Sequence, residues 1–167
     1  MATGHDDDTL HSRPIDRWFD SYSGDHRNAI NQRIHVIAVP AILWSVIALL
    51  WCIPVPPGGW FRPGVFAGLA MVGAGMFYFR ASRVLGLAML AELVAMSWLT
   101  WWLYYYVVGP RGLLSLAIGV FVVAWIAQFI GHQIEGRRPS FLTDLTYLLI
   151  GPAWVVAKGL RKLGVTW

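Results

Sequence analysis

The chain reads as an all-α integral membrane protein: a four-helix bundle with an N-terminal amphipathic segment and a C-terminal helix that is interfacial or re-entrant. Three observations predict this. Of the 167 residues, 57% are hydrophobic and only 13% are charged, whereas a soluble domain carries about 25% charge. The apolar residues fall into long runs of about the 20 residues that cross a bilayer. The chain also carries ten tryptophans, and Trp and Tyr favour membrane interfaces.

Residues 1–13 form a polar, acidic tail that is expected to be disordered. Without an apolar stretch ahead of a cleavage site, it does not read as a signal peptide. Residues 14–167 read as a single membrane domain. The first span covers 35–53, with Pro40 one turn inside it, where neighbouring helices can satisfy the lost bond. The Pro-Gly cluster between Ile53 and Gly64 ends it. The second span, 64–80, is short and rich in small residues (Gly68, Ala70, Gly73, Ala74, Gly75) that suit close helix packing. The third covers 84–108 and ends in the aromatic cluster Trp98 to Tyr106, an interface belt. Gly109, Pro110, Arg111 and Gly112 form a turn, and the fourth span covers 113–131. The last apolar stretch, 141–160, is broken at Gly151-Pro152. It holds Asp144 and is followed by Arg161 and Lys162, so it reads as lying on the membrane rather than crossing it.

Four spans place both termini and the central loop on one side. That side collects all of the thirteen Lys and Arg residues except Arg62 and Arg111. The positive-inside rule makes it the cytoplasmic face, of a bacterial inner membrane or of the endoplasmic reticulum in a eukaryote. Cys52 is alone, which excludes an intrachain disulfide or a cysteine zinc site. A net charge of +4 without a basic stripe or a base-stacking platform argues against nucleic acid.

On this topology His26, His35 and His132 share the cytoplasmic edge. Helical spacing places Asn28, Asn31 and His35 on one face, and Gln128, His132 and Glu135 on another. Histidine and carboxylate ligands suit iron, manganese or zinc, and a His-rich site with an open position suits non-haem Fe(II) and O₂. One continuous helix would hold His26 and His35 about 13 Å apart on opposite faces. Either the helix starts after His26, with Asn28 or Asp25 as its cap, or two metals are bound, or His26 has another role. Glu92, inside the third span, reads equally as a paired structural carboxylate or a substrate contact. His5 and His11 belong to the tail.

The run Y-x-x-x-H-x-N-x-x-N-x-x-x-H-x-x-x-x-P (Tyr22, His26, Asn28, Asn31, His35, Pro40) resembles one signature of the 2-hydroxy fatty acid dioxygenase family. That family is tied to the metabolism of phytosphingosine to odd-numbered fatty acids. A second signature is similar to W-x-x-Q-F-I-G-H-x-x-E-x-x-x-P (Trp125, Gln128, Phe129, Ile130, Gly131, His132, Glu135, Pro139). The resemblance covers residues 18–158. Two positions depart from the usual pattern, Ala38 and the run Pro139-Ser140-Phe141, and neither is a candidate ligand. The resemblance implies Fe(II)-dependent α-oxidation of a long-chain 2-hydroxy fatty acid by O₂, with His26, His35 and His132 as ligands. It further implies Glu135 as a fourth ligand or a residue fixing an imidazole, Asn31 and Gln128 as orienting groups, and Tyr22 beside them. The alternatives are a haem b electron carrier using His35 and His132 and a non-enzymatic membrane scaffold or transporter. The small residues of the second span suggest helix association within or between subunits.

Overall fold

The computed structural model describes residues 13–24, 26–56, 58, 61–136 and 147–166. The described residues form six α-helices and one π-helical segment. Residues 1–12 of the expected tail, the Pro139 region with Arg137 and Arg138, and Asp144 lie outside them.

Helix α1, Pro14–Gly24, starts on proline, whose fixed φ suits a first helical turn. It buries Ile15, Phe19 and Tyr22, spaced four and three apart on one face, so the amphipathic segment expected here is present. Asp16 pairs with Arg13 at 2.9 Å and lies in the first turn, where negative charge suits the helix dipole. Helix α2, Ala29–Trp51, is capped by Asn28, whose Oδ1 accepts from the Ile30 N–H at 2.8 Å. The helix therefore starts six residues before the expected 35, and His35 lies within it rather than at its mouth. Pro40 sits inside α2.

Helix α3, Val65–Ala81, has 17 residues. At 1.5 Å per residue it is about 25 Å long, short of the ~30 Å apolar core of a bilayer. Three helices among the described residues are long and apolar enough to cross a membrane: Ala29–Trp51, Arg83–Val107 and Gly109–Glu135. The middle one consists of α4, Arg83–Trp102, and the π-helical segment Leu103–Val107. Its aromatic end carries Trp98, Trp101, Trp102, Tyr105 and Tyr106 on the outside. Helix α5, Gly109–Glu135, absorbs the turn expected at 109–112. Gly109, at φ +68°, supplies the reversal, and Pro110 takes the first helical turn, where a missing N–H costs nothing. Helix α6, Tyr147–Lys162, runs through Pro152 without the expected break.

The most extensive packing is between α2 and α5. They run antiparallel, so the start of α2 meets the end of α5. Ala38 and Ile42 pack on Ala124, and Trp44 and Ala48 pack on Leu113 and Ala117. A separate core joins Ile15, Phe19 and Tyr22 of α1 to Tyr78, Leu85 and Met89 of α3 and α4, and to Ile150, Ala153 and Trp154 of α6. Large apolar side chains such as Ile37, Leu69, Val72 and Val123 face outward and are more than 60% exposed. A soluble monomer rarely shows such contiguous apolar surface; with three apolar helices of spanning length, it fits a membrane protein.

Candidate metal centre

The break between α1 and α2 resolves the spacing problem of His26 and His35. α1 ends at Gly24 and α2 begins at Ala29. The chain reverses between them, and the His26 N–H bonds back to the Ser23 carbonyl at 3.2 Å. The two imidazoles thereby meet, with ring centroids 4.3 Å apart. His132, from the last turn of α5, completes a triangle at 5.1 Å from His26 and 4.9 Å from His35. Each residue offers a ligand atom within 4.8 Å of the other two, and all three side chains are buried.

The hydrogen bonds settle which nitrogen of two rings faces the cluster. His26 Nδ1 lies 2.6 Å from the Tyr22 carbonyl oxygen, and His35 Nδ1 lies 3.0 Å from that of Asn31. A carbonyl only accepts, so both Nδ1 atoms carry the proton and both Nε2 atoms keep a lone pair. This is the arrangement that orients metal-bound imidazoles. The donor set therefore fits a divalent metal ion: three nitrogens from three segments, two with a fixed tautomer, shielded from solvent.

Glu135 is not among the gathered groups. Its carboxylate accepts from the Arg27 N–H at 2.9 Å, the Asn28 N–H at 2.8 Å and the Asn31 amide at 3.0 Å. It thus clamps the end of α5 to the start of α2, where backbone N–H groups have no helical partner. Asn31 is fully buried, and a methyl group at Gly131 would overlap its Oδ1. The glycine is what allows α5 to press on α2 beside His35. Gln128 is buried and Tyr22 stacks on His26 with centroids 4.2 Å apart.

From the imidazoles a cavity of about 330 Å³ runs along α2 past Val39, Ile42 and Val46. Trp125 and Gln128 of α5 and Leu148, Leu149, Gly151 and Pro152 of α6 close its other walls. The eleven residue-to-residue steps from His35 to Val46 correspond to about 16 Å of helix, roughly one leaflet of hydrocarbon. Glu92 does not line this trough.

Sequence reasoning missed the contribution of α6. Trp154 donates its indole N–H to the Ser23 hydroxyl at 2.9 Å, and its ring centroid lies 5.9 Å from that of His26. Gly151 lets α6 approach Tyr22, since a Cβ there would stand 3.2 Å from the Tyr22 hydroxyl. The Gly151-Pro152 pair was the available signal, but it reads as a break rather than as a contact. Lys158 donates to Gln32 at 2.6 Å. Burial, with Lys162 nearby, holds its ammonium below the ordinary lysine range.

Fold and site together define a class: an all-helical protein with helices of membrane-spanning length and a buried three-imidazole cluster at the head of an apolar trough. The chain belongs to the family described as 2-hydroxy-palmitic acid dioxygenase Mpo1-like, whose model matches residues 12–163. It is 26% identical over 141 residues to the 2-hydroxy-palmitic acid dioxygenase MPO1 of Saccharomyces cerevisiae, an alignment covering 83% of this chain and 61% of that protein. The chain thus spans about three-fifths of the length of that curated relative. No solved structure matches the chain significantly.

Proposed function

We propose that this chain is an Fe(II)-dependent dioxygenase that shortens long-chain 2-hydroxy fatty acids by one carbon. The acid and O₂ would give the one-carbon-shorter acid, CO₂ and water. This equation balances without an external reductant. The observation that carries the reading is the joining of the three imidazoles to an apolar trough of leaflet depth.

His26, His35 and His132 would hold the metal. When bound, the ion supplies Lewis acidity and a template for O₂ and substrate. All three ligands are neutral, and Glu135 is engaged elsewhere. The charge of the ion is therefore left to attract an anionic substrate head, and a carboxylate with its 2-hydroxyl suits that role. The trough walls take the acyl tail, each buried CH₂ contributing about 0.8 kcal/mol. Gln128, which lines the trough together with His132, would donate to the substrate head. Tyr22 holds His26 through its carbonyl and its ring, and Glu135 with Asn31 keeps the start of α2 in register with α5.

A third imidazole fills the gap that a porphyrin between His35 and His132 would need, which favours a single ion over haem. If α3 crosses as well, the charge bias would put both termini and the centre at the cytoplasmic face. The test is metal content together with O₂ consumption on 2-hydroxypalmitate. Wild-type protein should retain iron and release CO₂. His132→Ala should lose both while still inserting into membranes; full activity in that variant would falsify the assignment.

A further inference from the structure

His26 forms part of two cavities. One is the apolar trough; the other, of about 390 Å³, is bounded by Ser23, Arg27, Gln32, Trp154, Lys158 and Arg161. Besides His26 and the Trp154 indole, three cations (Arg27, Lys158, Arg161) and the polar side chains of Ser23 and Gln32 line this second cavity, and no acidic residue does so among the described residues. One of the cations is already ordered. Lys158 lies over the Trp154 ring, 4.9 Å from its centroid, and its ammonium is held by Gln32 at 2.6 Å. The Ser23 hydroxyl is fixed in turn by the Trp154 indole. A basic wall with its polar groups pre-positioned costs a ligand little ordering entropy. Guanidinium groups, here on Arg27 and Arg161, match the oxygens of a phosphate in pairs. The cavity sits where the end of α1, the start of α2 and the last turns of α6 meet, the last of these carrying Arg161 and Lys162. Basic residues at the edge of an apolar body face the headgroups of anionic lipids.

We propose that this cavity binds a phosphate group, as carried by an anionic phospholipid, directly behind His26. A phosphate seated there would join α6 to the α1–α2 break that positions His26. The site lies outside the trough and requires neither a bound metal nor turnover.

The test is native mass spectrometry of the full chain in detergent, titrated separately with phosphatidylglycerol, phosphatidylcholine and inorganic phosphate. Phosphatidylglycerol should bind one equivalent in preference to phosphatidylcholine. The double substitution Lys158→Gln with Arg161→Gln should weaken that binding roughly tenfold or more, the scale of a lost charge-assisted hydrogen bond. Lys158→Arg should retain it. Displacement of the lipid by inorganic phosphate would keep the phosphate site and identify free phosphate as a second source of the ligand. Equal binding of the two lipids would overturn the proposal. So would wild-type affinity in the double variant with its metal content preserved. Should the double variant lose its metal, Arg161→Gln alone, at an exposed position, carries the same comparison.

Discussion

Replacing Glu135 should weaken metal binding without removing a ligand. The carboxylate accepts three hydrogen bonds, at 2.8 to 3.0 Å, from the Arg27 and Asn28 backbones and the Asn31 side chain. In Glu135→Ala two backbone donors at the start of α2 lose their acceptor. Hydrogen bonds to a charged group contribute about 1.5–3 kcal/mol when buried. This carboxylate is partly exposed, so about 1 kcal/mol each is more realistic, or roughly 2–3 kcal/mol in total. That energy holds the 26–28 segment against α5 and therefore holds His26 against His132. Part of it should appear as weaker metal binding, about 10- to 100-fold, and part as a lower melting temperature. Glu135→Gln should fall between, because its amide oxygen still accepts while its NH₂ faces the donating Asn31 amide. The assay is competition for Fe(II) or Co(II) against a chromophoric chelator, with thermal unfolding in the same detergent. Wild-type metal affinity in Glu135→Ala would refute the clamp.

Other substitutions probe the neighbouring contacts. Gly131→Ala should destabilise the chain by about 1–3 kcal/mol, because the added methyl meets Asn31 Oδ1; an unchanged melting temperature would mean that α5 does not press on α2 there. Val46→Trp, at the far end of the trough, should shift preference towards shorter 2-hydroxy acids with little loss of turnover on them, as read by competition between chain lengths. Metal retention should fall as the pH falls, since a protonated imidazole cannot ligate. The ligands bind fewer protons in the metal-bound state, so acid favours release. Equilibrium dialysis at stepwise lower pH should show progressive loss, and occupancy unchanged down to the acid limit of folding would point to ligands other than histidine.

Much of the candidate site was legible in the sequence because helical spacing acts locally. His35 with Asn31, and His132 with Gln128, follow from the 3.6-residue repeat. Asn28, one of the two cap candidates, marked the start of α2 that lets His26 meet His35. The element boundaries were less legible. The polar run Asn31, Gln32 and Arg33 concealed the first turns of α2, and Gly109-Pro110 reads as a turn although proline also starts helices. The role of Glu135 was not recoverable, since a carboxylate three residues after a histidine suggests a ligand, and only the fold shows it occupied by the N–H groups of α2. The position of α6 over Tyr22 and His26 depends on contacts more than a hundred residues apart in the chain, such as Trp154 with Ser23, which no local pattern encodes.

The most direct test of the account is X-ray absorption at the iron edge on chain purified and loaded with Fe(II), with metal counted on the same sample. One iron per chain should appear with about three imidazole nitrogens, and single alanine substitutions at His26, His35 and His132 should each remove imidazole scattering. Iron that is absent after loading, or that keeps its imidazole scattering in all three variants, would contradict the central claim.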